Sequence, residues 1–521
     1  MDRQRSLHRI AHSTSVLAAT TAVSRLLGFV RDLVIAKFFG TTSAAQAFVV
    51  AFRIPNMMRD LVAEGAVTSA FVPVLSGYRA KAQLKEFWHL SEALFARLLV
   101  ILCAIGIIGW VFATALVYGL APGFASDPEK FALTVRLTRI LFPLILLVGL
   151  WAYFMGLLNS LQHFTMPSLG PAIMNVAMIV ACIGWVHRVS PGILALAIGV
   201  MVGGLLQVLI QLPTAIRLGW RWHWRWRHTG SSRIVKLLAP RMLGSAVHQG
   251  NVFIHTALAS LGTVVGEGSV VALYFANRLM QLPLALFGTA SAQASLPALA
   301  EQAAENDLAA FRSTLLSVLR MVGFVILPSA MGLIVLAEPM VHSLFERGAF
   351  DHQATILTTQ ALAGYSLGLL SYSISKVLSG AFYALQDTWT PVRLAVQAVA
   401  VNVGLSVALM YPLHVGGLAL ASALSNTVNA YQLLRGMERR LNKPLLSPLL
   451  GSWVRMLAAS LLMGVGCWAL WTYGSLNHRP IVGIPVVILC SLAFYLVCCR
   501  MMGIPELATS LRWLRRFRQR D

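Results

Sequence analysis

Nine charged side chains stand inside otherwise apolar stretches of the chain, and their types point to anion binding. Arg25, Arg31 and Asp32 share one stretch; Arg53, Arg59, Asp60 and Glu64 share the next; Arg278 and Lys376 stand alone further on. Arg25 and Asp32 are seven residues apart, which puts them on one helical face, and Arg31 lies near it. Arg53, Asp60 and Glu64 form a second stripe, with Arg59 beside it. Internal ion pairing, such as Arg31 with Asp32 or Arg59 with Glu64, explains part of this set. It leaves a surplus of cations, and a charge at membrane depth is costly unless paired or wet. Unpaired buried cations call for an anion, and arginine forks onto phosphate or carboxylate oxygens. The expected chemistry is a cationic cavity for a phosphate-bearing substrate. His248 and His255 read as polar groups on a cavity wall rather than proton carriers. No zinc motif, phosphate-binding glycine loop or nucleophile elbow occurs, so neither a catalytic residue nor a cofactor or metal is expected.

Long apolar helices must position these residues. The 521 residues are 57% apolar and only 12% charged, about half the charge of a soluble protein. That excludes a soluble or disordered chain. The six cysteines lie in apolar stretches without metal or redox spacing and read as small core residues. Runs of roughly 20 apolar residues give fourteen candidate spans: 13–39, 43–78, 88–118, 131–160, 166–187, 191–217, 234–260, 268–299, 311–336, 353–384, 391–411, 416–440, 450–474 and 480–502. The second, eighth and tenth are long and hold Gly or Pro, so bends are expected there.

The net charge of +22 follows the loops. With the N-terminus in the cytoplasm, the basic clusters 3–9, 79–85, 217–236, 435–443 and the tail all fall inside, while the outer loops hold few cations. Both termini are therefore expected in the cytoplasm. The Trp220–Arg227 stretch alternates aromatic and basic residues, a pattern that can bind single-stranded nucleic acid. A juxtamembrane loop with Trp at the interface and Arg on anionic lipid explains it better, and no nucleic-acid partner is expected.

The chain also repeats itself at an offset of 224 residues. Gly156–Pro167 matches Gly380–Pro391 at Gly, Leu-Gln and Pro; Leu120, Ala125 and Asp127 meet Leu344, Ala349 and Asp351. The fold class is thus an all-α polytopic membrane protein of about fourteen helices, with two parallel-repeat lobes of six and two added helices. The expected divisions are an N-lobe at 1–218, a basic Trp-rich loop at 219–233, a C-lobe at 234–441, helices 13 and 14 at 449–502, and a basic tail at 503–521. The repeat pairs Arg25 with Gln249, Arg31 with His255 and Asp32 with Thr256, so symmetry does not demand the first-helix charges.

Ser24-Arg25-Leu26-Leu27-Gly28-Phe29-Val30-Arg31-Asp32 is similar to the opening signature of the MurJ (MviN) lipid II flippases. Pro55-Asn56-Met57-Met58-Arg59 with Ala63-Glu64-Gly65-Ala66, and Ala276-Asn277-Arg278-Leu279-Met280, resemble later motifs of that family. The resemblance runs along the whole chain and extends to the MOP exporter superfamily. It implies export of lipid II, the undecaprenyl-diphosphate-linked peptidoglycan precursor, across a bacterial inner membrane. It also implies that Arg25, Arg31, Arg59 and Arg278 are cavity arginines with Asp32, Asn56 and Glu64 beside them, and that helices 13 and 14 form a lipid-tail groove. Arg53, Lys376 and His255 are secondary candidates. Implied partners are lipid II and membrane lipids, with cell-wall synthesis proteins a further option. Gln46, Asn277 and Gln281 stand where the family commonly has acids, so the energy source stays open. Rival readings are an exporter of another lipid-linked glycan or a drug, and a non-transporting scaffold for cell-wall enzymes.

Overall fold

The computed structural model describes residues 2–59, 71–231, 234, 249–474, 478 and 480–508, and among these no strand occurs. The chain folds into two compact units, one of Met1–Ser260 with Arg347–Phe350, the other of Leu261–Glu346 with Asp351–Asp521.

The first unit holds α1 (Asp2–Phe39), α2 (Ser43–Arg59), α3 (Val72–Ala80), α4 (Leu84–Val111), α5 (Ala113–Leu120), α6 (Pro128–Leu141), α7 (Leu144–Ser160), α8 (Thr165–Trp185), α9 (Ile193–Leu209) and α10 (Leu212–Arg217). Helices in lipid cannot rely on a hydrophobic drive to associate and instead use small residues for close packing. Here α9 presents Gly199 and Gly203, one turn apart, to α8. A Cβ on Gly199 would lie 2.7 Å from that of Ala181, and one on Gly203 would lie 3.0 Å from the Met174 Cα. At the other end of the unit, Tyr153 on α7 is fully buried among Phe71, Phe95 and Phe154. Its hydroxyl donates to the Ser91 carbonyl at 3.0 Å and accepts from Trp220 Nε1 at 3.2 Å. The segment Arg347–Phe350 joins this unit through Ala349 N–H, which donates to the Lys37 carbonyl at 2.8 Å.

The second unit holds α11 (Gly262–Val265), α12 (Ser269–Pro283), α13 (Ala290–Ala304), α14 (Leu308–Val335), α15 (Ala337–Phe345), α16 (His352–Leu367), α17 (Leu369–Ala384), α18 (Trp389–Leu441), α19 (Leu446–Tyr473) and α20 (Pro480–Met501). A π-helical turn, Leu284–Thr289, follows Pro283 between α12 and α13, and the chain breaks again at Gly368 between α16 and α17. These are the bends expected in the eighth and tenth spans. Gly364 lets α16 pack tightly on α18, where its Cβ would sit 2.9 Å from that of Ala419. Helix α18 doubles back at His414, whose φ of 49° and ψ of −130° are non-helical, just after Pro412. The His414 ring pins that bend through Nδ1, 2.7 Å from the Val264 carbonyl oxygen. Helices α19 and α20 pack on α14, where Tyr495 donates to the Phe324 carbonyl at 2.7 Å in a cluster with Met456, Met463, Cys498 and Cys499.

Among the described residues, nine helices are long and apolar enough to cross a membrane. Fourteen spans were expected, and the difference has physical causes. Buried ionic groups make α1 too polar to count; the Gly368 break leaves α16 and α17 individually short; and α18 contains two spans in 53 residues. Much of the expected second and seventh spans lies outside the described residues. Among the described residues the fold is all-α and built largely of helices of membrane-crossing length.

The 224-residue offset has a structural counterpart. Asp127 caps α6 by accepting from Lys130 N–H at 3.1 Å, and Asp351 caps α16 by accepting from Ala354 N–H at 2.8 Å. Each cap contributes about 1 kcal/mol. Close by, Glu346 accepts from the Thr355 hydroxyl at 2.6 Å, with His342 Nδ1 at 2.8 Å and His352 Nδ1 at 3.5 Å. Burial pushes the Glu346 carboxyl up, but Thr355, His342 and His352 outweigh it and hold the group below its ordinary value of 4.5. A depressed carboxyl stabilises the fold above the ordinary value, and that contribution disappears as pH falls through the lowered one. Glu346→Gln is therefore expected to reduce the loss of melting temperature as the purified protein is acidified below about pH 4.5; identical acid profiles would refute this.

Candidate functional site

In the first unit, the sequence-expected residues gather on α1 and α2. Arg31 donates to Asp32 Oδ1 through Nε at 3.0 Å and Nη2 at 2.6 Å. Its Nη1 donates to Asn175 Oδ1 on α8 at 2.9 Å, and Asn175 Nδ2 donates back to the Ser24 carbonyl at 3.1 Å. The α1–α8 crossing brings Asn175 Nδ2 close to Gly28, where a Cβ would make ordinary contact with it at 3.4 Å. Asp32 is 3% exposed, and a carboxylate buried that deeply needs a partner such as the Arg31 guanidinium against it. Arg25 is exposed on the same helix.

On α2, Arg53 donates through Nε at 3.2 Å and Nη2 at 3.1 Å to the Thr256 hydroxyl, which itself donates to the Val252 carbonyl. Asn56, Arg59 and His255 are half-buried in the same unit, and Pro55 lies inside α2. Asp60, Glu64 and His248 fall outside the described residues. Gln46 is buried and donates to the Thr41 carbonyl at 3.3 Å.

In the second unit, Arg278 is exposed on α12. Its guanidinium stands over the Tyr274 ring at 5.1 Å and donates to the Tyr274 hydroxyl at 3.3 Å. One turn apart beside it, Gln281 Nε2 donates to Asn277 Oδ1 at 2.9 Å. Lys376 on α17 is exposed. The structure thus assembles Arg31 with Asp32 and Asn175, Arg53 with Thr256, and Arg278 with Tyr274, each within its own unit. Among the described residues, no group of three or more His, Cys, Asp or Glu side chains is placed to hold a metal ion.

Asn175, Thr256 and Tyr274 were not singled out from sequence. Asn175 had a usable signal, as a lone amide in the otherwise apolar helix α8. Thr256 and Tyr274 had none, because each matters only through the arginine that tertiary packing sets against it.

The basic Trp-rich segment is clamped to α4. Glu92 meets His223 Nδ1 at 3.0 Å and Arg225 Nε at 3.4 Å, Glu86 meets His228 Nε2 at 2.9 Å, and Arg97 donates to the Trp226 carbonyl at 2.7 Å. Trp222, Trp224 and Trp226 are exposed, as an interfacial loop requires. Trp220 differs from that expectation. It is buried, because its indole N–H satisfies the Tyr153 hydroxyl in the aromatic cluster.

A family model described as "Lipid II flippase MurJ" matches residues 35–490. A "Probable lipid II flippase MurJ" from Haemophilus influenzae is 36% identical over 464 residues, covering 86% of this chain and 90% of the relative. The "Lipid II flippase MurJ" of Burkholderia cenocepacia is 33% identical over 492 residues, with 91% and 93% covered. Among solved structures, "Lipid II flippase MurJ, inward closed conformation" superposes with a TM-score of 0.78 at 26% identity, covering 93% of this chain and 99% of that one. An inward-facing multidrug transporter of the MATE family shares the fold, with a TM-score of 0.69 at 15% identity over 80% of this chain and 94% of its own. A signature that begins at Ser24, a match over most of the chain and a fold shared end to end agree: this chain belongs to the MurJ lipid II flippase family.

Proposed function

We propose that the chain moves lipid II from the cytoplasmic to the periplasmic leaflet of the bacterial inner membrane by alternating access. The observation that carries this reading is the set of arginines held by neutral or singly acidic partners on apolar helices. A guanidinium fixed by Asn175, Thr256 or Tyr274 keeps its charge while its geometry is set in advance, which is what recognition of a diphosphate needs. Arg25, Arg31, Arg59 and Arg278 take the phosphate and sugar-peptide oxygens. Asp32, Asn56 and Glu64 orient them, and Arg53, Lys376 and His255 line the route. The lobes are 1–218 and 234–441, and their alternation opens the substrate site to one leaflet and then to the other. Both termini lie in the cytoplasm, in keeping with the basic loops. The lipid tail runs along α19 and α20, whose outward faces carry Leu457, Leu461, Val465, Leu489 and Leu492.

Drug exporters of this fold handle cations, and the arginine surplus disfavours that chemistry. The test is replacement of the flippase in a bacterium depleted of its own. Expression of this chain is expected to restore growth and appearance of lipid II in the outer leaflet. Normal membrane levels without rescue would overturn the proposal.

A further inference from the structure

The two legs of α18 enclose a cavity of about 510 Å³ at the end opposite the His414 bend, lined by Arg393, Tyr431, Gln432, Arg435, Glu438 and Arg439 among others. Three guanidiniums face one carboxylate, and that carboxylate is already committed. Glu438 Oε1 accepts the Leu445 and Leu446 N–H groups at 2.8 and 2.9 Å, and Oε2 accepts from Arg435 Nη1 at 3.1 Å. Arg435 is fixed further by its Nε bond to the Tyr431 hydroxyl at 3.0 Å. Neither Arg393 nor Arg439 makes a hydrogen bond or ion pair among the described residues. The cavity therefore offers a net positive charge.

Folding does not require this arrangement. At the 224-residue offset, Arg393, Arg435 and Arg439 correspond to Leu169, Gln211 and Ala215. In that half Gln211 is fully buried and its amide donates to the Gln207 and Trp151 carbonyls at 3.0 and 3.3 Å. The second half places arginines at all three of these positions, where the first half has neutral side chains.

We propose that this cavity binds a phosphate-bearing anion, the guanidiniums of Arg393, Arg435 and Arg439 taking the phosphate oxygens. The headgroup of an anionic phospholipid such as phosphatidylglycerol supplies that anion. Aromatic side chains at the same level, Trp389 at 69% exposure and Tyr431 at 51%, mark the depth of a bilayer interface, which favours the lipid as the source over a soluble phosphate. Assignment to the inner leaflet rests on the orientation proposed above; the binding site itself does not.

The test uses the full-length protein, purified and delipidated in a neutral detergent, with short-chain phosphatidylglycerol, short-chain phosphatidylcholine and inorganic phosphate as probes. Phosphatidylglycerol is expected to bind about tenfold more tightly than phosphatidylcholine. Arg393→Gln with Arg439→Gln should remove that preference, and Arg393→Lys with Arg439→Lys, which keeps the charge, should retain most of it. Displacement of the lipid by inorganic phosphate would assign the site to the anion itself; no displacement would assign it to the lipid. Equal binding of the two lipids, or an unchanged preference in a glutamine variant that melts like wild type, would overturn the proposal. The readout is lipid affinity rather than lipid II export, so its failure leaves the flippase reading intact.

Discussion

Arg31→Ala is expected to abolish rescue of a flippase-depleted bacterium and to destabilise the protein. The two effects have separate origins. Arg31 bridges Asp32 and Asn175, and its side chain and that of Asp32 are 11% and 4% exposed. Removing one partner of a buried pair leaves an uncompensated charge and costs about 3–5 kcal/mol. The double variant Arg31→Ala with Asp32→Asn should recover much of the melting temperature, because the orphaned carboxylate is gone. It should not recover export, because the cation is gone too. Arg31→Lys should also fail, since a single ammonium cannot span Asp32 and Asn175 together. Rescue by Arg31→Ala at normal membrane levels would sink the role assigned to this residue. Recovery of export by the double variant would show that Arg31 serves only to neutralise Asp32.

Arg278→Ala should eliminate rescue with little loss of stability. Arg278 is exposed, and its guanidinium stands over the Tyr274 ring and donates to the Tyr274 hydroxyl. Substitution at such a position changes folding stability by no more than about 0.5 kcal/mol, so export should be lost from a protein that purifies and melts normally. Tyr274→Phe keeps the ring beneath the guanidinium and removes the hydroxyl. It should weaken rescue less than Arg278→Ala does. Normal export by Arg278→Ala would remove this residue from the proposed binding set, and a collapse in melting temperature would recast it as structural. The contrast with Arg31 is the informative part: one arginine couples binding to folding, and the other carries charge alone.

The membrane character and the duplicated plan were legible in the residues because both are written as long-period patterns. Apolar runs define spans, and the 224-residue offset falls on aspartates that cap helices in both halves. The ion pair of Arg31 and Asp32 was legible because the two are sequence neighbours. Its third member was not, because Asn175 reaches Arg31 only after α1 and α8 cross at Gly28. Trp220 was misplaced for a related reason. A Trp beside arginines fits the membrane interface equally well whether it points outward or inward, and only the Tyr153 hydroxyl in the folded core decides. The turn within α18 was legible: the break expected between 391–411 and 416–440 falls on His414, just after Pro412.

That turn has a mechanical meaning. With about 1.5 Å of rise per residue, each leg of α18 is a lever roughly 38 Å long, hinged at His414 and free of slack because no loop separates the arms. A change of about 5° at the fulcrum would part the far tips by about 3 Å, the width of a hydrogen bond. The arginine cavity lies between those tips. An occupant there would act like an object held in tweezers: what it resists is the opening angle of the pair of helices, far from the fulcrum.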